Sequence, residues 1–304
     1  MASERRIRRG PAWIALLMAA ATGCAAILGG EAGVLDEGAA SVEAGSADSN
    51  PERDADRADG AGDASVSADA GTDATTEAGP GCPEAGGGPL VRAGSFCIDR
   101  TEVTVAQYTL FLSAKGGDVS GQPAECAANT TYVPSPGFTP SVTNYFPVVN
   151  VSWCDAYMFC KWAGKRLCGG TDGGAATYTG AGLTTESQWY SACSHAADGQ
   201  HLYPYGNSFD ASACAIDADG GALIEAGSKA GCVGGYPGIF DMSGNVREWE
   251  DSCTPAADGG PAFDLCRRRG GAADDTAAEN ACAPVQVLAR GSATSHTGFR
   301  CCGP

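Results

Sequence analysis

The order of apolar and polar positions predicts a strand followed by a helix near the start of the region after residue 81. The stretch "FCIDRTEVT", Phe96–Thr104, alternates in polarity as a half-buried strand does. In Val105–Lys115, the apolar side chains of Tyr108, Phe111 and Leu112 recur at the spacing of one helix face. The pattern therefore predicts a strand that leads directly into a helix.

Two further helices are predicted in the same half of this region. The first covers residues 152–166, with Ser152 as a good N-cap and Gly164 at its end. The second covers residues 185–195 and opens at Thr185.

The remaining half predicts short strands and long loops. Segments such as "GGYPGIFDMSGNV" and "VLARGSATSHTGFRCC" are rich in glycine and have few helical runs. Helices in one half and irregular β-structure in the other indicate the α+β class. Long ordered loops need cross-links, which disulfides or calcium commonly supply.

Residues 1–24 are interpreted as an export signal. Several arginines precede the short apolar run "PAWIALLMAAA", which is followed by "ATGC". The small residues before Cys24 resemble a bacterial lipobox, which makes Cys24 the lipidated N-terminus of a membrane-anchored protein with no transmembrane helix. The alternative is an ordinary secretory signal that is cleaved near Ala21.

Residues 25–81 are predicted to be a disordered linker, and residues 82–304 a single, monomeric domain. The linker is rich in Ala, Gly, Ser, Asp and Glu and has no aromatic residue, so it cannot bury enough apolar surface to fold. Much of the net charge of −17 lies in it. Such acidity argues against a nucleic-acid partner.

Fifteen cysteines, in a chain with an export signal, indicate a disulfide-rich domain. Without Cys24 the number is even. Zinc is disfavoured because the chain has no C-x-x-C pair and its three histidines lack ligand spacing. Spacing favours local pairs between Cys253 and Cys266 and between Cys214 and Cys232.

Seven segments in a fixed order resemble the formylglycine-generating enzyme, or sulfatase-modifying factor, family. The resemblance spans Ser95 to Cys302 and implies a variant of the C-type lectin fold, which is α+β with little regular structure. The segments are "FCIDRTEVT", "FPVVNVSWCDAYMFCKWAGKRL", "TTESQWYSAC", "YPYGNSFD", "GIFDMSGNVREWEDS", "RRRGG" and "TGFRCC".

The resemblance also implies where the chemistry of the enzymes should lie. Those enzymes oxidise a sulfatase cysteine to formylglycine with molecular oxygen and with copper(I) held by two cysteines. Counted from Gly271, the two cysteine positions fall on Asp275 and Asn280. Hard oxygen ligands do not replace thiolates for copper(I). A shifted alignment would let Cys282 serve as one ligand, but no second cysteine is near it in sequence.

Two disulfides are implied by the resemblance, Cys160–Cys301 and Cys193–Cys282. The adjacent Cys301 and Cys302 should point to opposite faces of a strand and take different partners. Six cysteines have no assigned partner: Cys82, Cys97, Cys126, Cys154, Cys168 and Cys302.

The stretch "FDMSGNVREWE" is predicted to bind calcium. The resemblance implies a ligand set of Asp241, Gly244, Val246 and Glu248, with carboxylate and backbone oxygens of the kind that calcium prefers. In the alternative interpretation, Asp241 only caps the turn and Glu248 pairs with Arg247 or another arginine.

The arginine run at residues 267–269 has two interpretations. It could bind an anionic ligand, but a solvated strand with alternating faces is favoured. The sequence thus predicts an exported sulfatase-modifying-factor-like module that binds a peptide or carbohydrate at the cell envelope and has no copper chemistry. The alternatives are an active formylglycine-generating oxidase, an accessory to one, or another oxidase on the same scaffold.

Overall fold

The computed structural model describes residues 81–139, 145–179, 186–195, 200–216 and 221–303. The predicted export signal with Cys24, and the predicted linker up to residue 80, lie outside the described residues. The described part contains three α-helices and eight short strands. The predicted α+β class, with little regular secondary structure, is confirmed.

Helix α1 spans Val105–Lys115, as predicted. It begins where the Thr104 hydroxyl accepts from the Gln107 N–H and the Gln107 side chain accepts from the Thr104 N–H, so two otherwise unpaired donors are satisfied. It ends at Gly116, whose φ of 54° is left-handed and suits a residue without a Cβ.

Helix α2 spans Trp153–Trp162 and α3 spans Gln188–Ser194. The predicted cap at Ser152 is confirmed and forms a reciprocal pair with Asp155. Helix α3 begins later than predicted because the hydroxyl of Ser187 accepts from the Tyr190 N–H.

The strands form two separate four-stranded sheets. The strands are β1 Leu90–Ala93, β2 Phe96–Asp99, β3 Arg166–Leu167, β4 Arg247–Thr254, β5 Leu265–Arg269, β6 Gln286–Ala289, β7 Thr297–Gly298 and β8 Cys301–Gly303. The first sheet has the order β1-β2-β8-β3, in which the last described strand lies between two early ones. The second sheet has the order β6-β5-β4-β7.

The core is built largely from aromatic side chains. Tyr108, Phe159 and Phe299 are fully buried together beneath α1 and α2, with ring centroids 5.3–6.3 Å apart. Trp189 belongs to a second cluster between α3 and the first sheet. Trp162, at the end of α2, is 37% exposed.

Seven disulfides cross-link the described residues, and they place β8 at the centre of the network. Cys301 is joined to α2 and Cys302 to the residue after β3, so the neighbouring cysteines have different partners. The pairs are Cys82–Cys97, Cys126–Cys154, Cys160–Cys301, Cys168–Cys302, Cys193–Cys282, Cys214–Cys232 and Cys253–Cys266. The pairs that close long loops restrict the unfolded chain most and should stabilise the fold by about 4–5 kcal/mol each.

Candidate functional site

The first candidate site is the loop after β5. By the resemblance, the copper-binding cysteines of the related enzymes would lie in this loop, at the positions of Asp275 and Asn280. Asp275 is buried, and its carboxylate forms an ion pair with Arg247 at the start of β4. The same carboxylate accepts from the N–H of Ala272 at 3.0 Å and from the side chain of Gln286 at 3.3 Å. Asp275 therefore fastens the loop to the second sheet.

Asn280 is fully buried and closes the same loop. Its side-chain amide donates to the carbonyls of Ala272, Asp275 and Thr276 at 3.0–3.3 Å. The backbone carbonyl of Asn280 accepts from the Ser243 hydroxyl at 2.6 Å. Both side chains thus hold a turn, although the Oδ1 of Asn280 is buried without a hydrogen-bond partner among the described residues.

The cysteines near this loop are not free thiols. Cys282 is joined to Cys193 in α3, which removes it as a copper ligand. Every cysteine in the described ranges is disulfide-bonded. No thiolate in this part of the chain is therefore available to bind copper(I).

The second candidate site is a pair of buried carboxyl groups, Asp241 and Glu102. The Asp241 side chain accepts from the N–H of Gly227, and that of Glu102 accepts from the Asn245 amide at 3.1 Å. One oxygen of each, Oδ1 of Asp241 and Oε2 of Glu102, is fully buried and has no hydrogen-bond partner among the described residues. Two such oxygens would be satisfied by a cation or by a proton shared between the two carboxyl groups, and a hydrogen bond with Glu102 acts to lower the pKa of Asp241.

Burial raises the pKa of both carboxyl groups. The negative charge of Asp241 raises the pKa of Glu102 further, and the Arg300 guanidinium opposes the shift at both residues. Asp241 also has a left-handed φ of 56°, which aspartate adopts more readily than most residues. The pair is therefore an energetically costly arrangement in the absence of a cation or a shared proton.

Glu248, a predicted calcium ligand, is engaged by an arginine. Its two oxygens accept from the Nε and Nη2 of Arg300, both at 2.7 Å, and one also accepts from Trp189 at 2.8 Å. The alternative interpretation of Glu248 named Arg247 or another arginine, and the partner is Arg300, because Arg247 pairs with Asp275. The Glu248 carboxylate has little capacity left for a metal.

Gly244 and Val246, the other two predicted ligands, lie in the turn before β4. Gly244 has a φ of 79°, and an added Cβ would lie 2.4 Å from the Ala215 carbonyl oxygen, so only glycine fits there. Val246 is fully buried. Across the described ranges, no three His, Cys, Asp or Glu side chains are grouped so that they could hold a metal by themselves.

Glu102 was missed by the sequence analysis. It lies in "FCIDRTEVT", more than 140 residues before Asn245, and the local pattern has no feature that marks it as buried. Glu102 lies just before α1, and it joins the site because this segment contacts the turn before β4.

The family model for the sulfatase-modifying factor enzyme 1-like domain matches residues 55–303. The chain belongs to this family. The match begins inside the segment that is predicted to be a linker.

Two curated relatives illustrate the range of this family. The chain is 33% identical over 173 residues to the inactive C-alpha-formylglycine-generating enzyme 2 of Bos taurus, covering 51% of this chain and 50% of the relative. It is 29% identical over 280 residues to the formylglycine-generating enzyme of Thermomonospora curvata, covering 72% and 86%. The chain thus spans about half the length of the bovine relative.

Among solved structures, the chain is similar to the crystal structure of CarF. The sequence identity is 22%, the TM-score is 0.47, and the similarity covers 69% of this chain and 86% of that one.

The arginine run of this sulfatase-modifying factor domain forms β5, and the prediction of a solvated strand is wrong. Arg267, Arg268 and Arg269 are 9%, 8% and 1% exposed. Arg268 donates to the Thr297 hydroxyl at 2.8 Å, and burial, with the nearby Arg247 charge, lowers its pKa to about 10. Arg269 pairs with Glu250 at 2.9 Å.

Two observations bear on where the domain resides. Seven disulfides in one domain suggest folding in an oxidising compartment. None of the helices in the described ranges has the length and apolar content needed to cross a bilayer.

Proposed function

We propose that this chain is a non-catalytic member of the sulfatase-modifying factor family that acts as a binding or scaffolding module. One observation carries the proposal. By the family resemblance, the positions that correspond to the copper-binding cysteines are Asp275 and Asn280, and both side chains are buried and form hydrogen bonds that hold their own loop. Copper(I) prefers soft sulfur ligands, which neither residue supplies.

The comparison with relatives supports the same proposal. The bovine relative, 33% identical over 173 residues, is itself named an inactive formylglycine-generating enzyme. The relative from Thermomonospora curvata is named a formylglycine-generating enzyme, so an oxidase remains the second candidate. The two candidate functions differ in one requirement, because only the oxidase needs a free cysteine pair to hold copper(I).

An oxidation assay tests the proposal. The full chain, loaded with copper(I) under anaerobic conditions and then exposed to oxygen, is expected to leave a cysteine-containing sulfatase peptide unmodified, because no thiolate pair is free to hold the metal. The readout is the peptide mass, with the enzyme from Thermomonospora curvata as the positive control. Stoichiometric copper binding together with a formylglycine product would contradict the proposal.

We also propose that the module is exported and held at the cell envelope by a lipid on Cys24. The arginines, the apolar run and "ATGC" support a lipoprotein signal, and the seven disulfides agree with export. The mature chain is expected to begin at a diacylated Cys24, as measured by mass spectrometry. An unmodified N-terminus at any other residue would refute the anchor.

Calcium is proposed as the structural ion, with a ligand set different from the predicted one. Asp241 and Glu102 each have an unpartnered buried oxygen, and two carboxylates would neutralise the charge of the ion. The predicted backbone oxygens of Gly244 and Val246, together with water, would complete the shell. Glu248 would instead hold Arg300 in place. A calcium ion would stabilise the turn that leads into β4.

The ligand of the module is proposed to be a peptide or a carbohydrate. The support for this class is the analogy to lectin-like folds alone.

A further inference from the structure

Arg267 is a buried cation without a direct ion pair among the described residues. Burial lowers its pKa, although the charge of Glu250 lies near enough to oppose that shift. It lies in β5 and is 9% exposed, and its guanidinium carbon is 4.6 Å from the centroid of the Tyr178 ring. Within the described ranges it has no ion pair and no side-chain hydrogen bond, and its Nε atom is fully buried without a partner. This ring contact is favourable, but it satisfies none of the five N–H donors.

The other buried arginines of the second sheet and its loops all have hydrogen-bond partners. Arg269 binds Glu250, and Arg290 binds Asp264 at 2.7 Å. Arg268 has no carboxylate partner among the described residues, but it donates to the Thr297 hydroxyl and to the Val287 carbonyl. Among the buried arginines of β5, Arg267 is the one without a hydrogen-bond acceptor among the described residues, which is costly for a charged group.

The surroundings of Arg267 contain more unpaired donors than acceptors. Arg267 and Arg269 are two residues apart on β5 and share a face of the sheet. The Nη2 of Arg269 is also buried without a partner. The Glu250 carboxylate is already used, since it accepts from Arg269 Nε and from the Ser187 hydroxyl. The two arginines and Glu250 leave a net charge of about +1 on this face.

An irregularity in the sheet adds a third donor. Trp249 pairs with Arg268 and Cys253 with Cys266, so residues 250–252 of β4 all lie opposite Arg267. Ser252, within this bulge, has a fully buried hydroxyl without a partner. Bulges often occur at functional positions, where they redirect side chains. We call Arg267, Arg269 Nη2, Ser252 and Tyr178 the Arg267 site.

Apolar side chains flank the Arg267 site at the surface. Val287 of β6 is the direct neighbour of Arg267 in the sheet and is 41% exposed. Leu265, two residues before Arg267 on β5, is 38% exposed. A ligand at this place would therefore meet a cation beside exposed apolar surface.

We propose that the Arg267 site binds a carboxylate carried next to an apolar group, as at the C-terminal residue of a peptide. A carboxylate matches the planar fork of a guanidinium and accepts two parallel hydrogen bonds. Its single negative charge balances the net charge of this face, whereas a doubly charged anion exceeds it. The site does not involve Asp275, Asn280 or Asp241, so it is independent of the copper and calcium proposals.

The test uses three small probes on the full chain. N-acetyl-leucine carries an α-carboxylate and an apolar side chain, N-acetyl-leucinamide lacks the charge, and the N-acetyl amide of aspartate carries only a side-chain carboxylate. Binding is followed by the nitrogen-15 NMR signal of the Arg267 Nε–H group. We expect N-acetyl-leucine to bind at least tenfold more tightly than the leucinamide. Tighter binding of the aspartate probe would assign the site to an acidic side chain and would overturn the C-terminal preference.

Two variants separate the site from a merely structural arginine. Arg267→Gln is expected to weaken N-acetyl-leucine binding at least tenfold, as measured by calorimetry. Arg100→Gln is the matched control, because Arg100 is exposed and also lies over an aromatic ring, that of Phe240 at 5.1 Å. If Arg267→Gln does not fold, Arg267→Lys keeps the charge without the fork and should bind more weakly than the native chain. Equal binding by both probes, no saturable shift, or unchanged binding in these variants overturns the proposal.

Discussion

Replacing Arg300 with methionine is expected to destabilise the domain by about 3–5 kcal/mol, because the change leaves a buried carboxylate without its partner. Arg300 is fully buried and binds both oxygens of Glu248. It also donates to the carbonyls of Asp99, Phe240 and Asp241 at 2.9–3.3 Å. The residue therefore connects β2, the turn before β4 and the last part of the chain. The free energy of unfolding, from denaturant titration, measures the effect.

A mutant cycle separates the ion pair from packing. Glu248→Gln should also be strongly destabilising, since it leaves the Arg300 charge buried without its full partner. The double variant Arg300→Met with Glu248→Met should recover part of the loss, because no unpaired charge remains. Arg100→Met is the control at an exposed arginine and should change stability by less than about 0.5 kcal/mol. If Arg300→Met costs no more than that control, the pair does not organise the core as argued.

Chelation of calcium is expected to lower the melting temperature of the full chain by about 6–15 °C. At free calcium 100 to 1,000 times the dissociation constant, binding stabilises the folded state by about 2.7–4.1 kcal/mol. In a domain of this size each kcal/mol shifts the midpoint by about 2–4 °C. The physical reason is that the ion would neutralise Asp241 and Glu102, whose buried oxygens are otherwise unpaired.

Neutral variants assign this effect to the two carboxyl groups. Asp241→Asn and Glu102→Gln should melt at the same temperature in calcium and in chelator, although each folds. Asp258→Asn, at an exposed aspartate, should keep the full difference. Magnesium should substitute poorly because it requires a tighter octahedral shell. A native chain whose melting temperature does not respond to calcium would refute the site.

Local sequence signals were sufficient for the cap of the second helix and for the family. Ser152 precedes Asp155 by three positions and forms a reciprocal cap with it, and such a contact depends only on neighbours in the chain. Thr104 forms the same kind of cap with Gln107, which was not predicted. The order of the family motifs from Ser95 to Cys302 also predicted the fold class.

The cap of α3 is Ser187, two residues after the predicted start at Thr185. The local pattern did not determine which of these two hydroxyl residues would precede the helix.

The arginine run shows where local pattern fails. Three adjacent cations are usually solvated, and nothing in "RRR" distinguishes that case from a buried strand. Tertiary packing covers all three and gives each a different environment: an aromatic ring for Arg267, a hydroxyl for Arg268 and a carboxylate for Arg269. Burial of charge depends on partners that are distant in sequence, such as Tyr178 and Glu250, and a local window does not contain them.

The sequence by itself determined the family and the α+β class, because the motifs that carry them are local stretches in a fixed order. The sequence predicted, in addition, that Asp275 and Asn280 stand where the related enzymes have the copper-binding cysteines. It also marked "FDMSGNVREWE" as a turn with carboxylates. Only the tertiary structure decided what those carboxylates do. It assigned Glu248 to Arg300, which is 52 residues later, and brought Glu102 to the turn from the start of the domain. Ion pairs and metal sites depend on distances in space, and these arise only when the chain has folded.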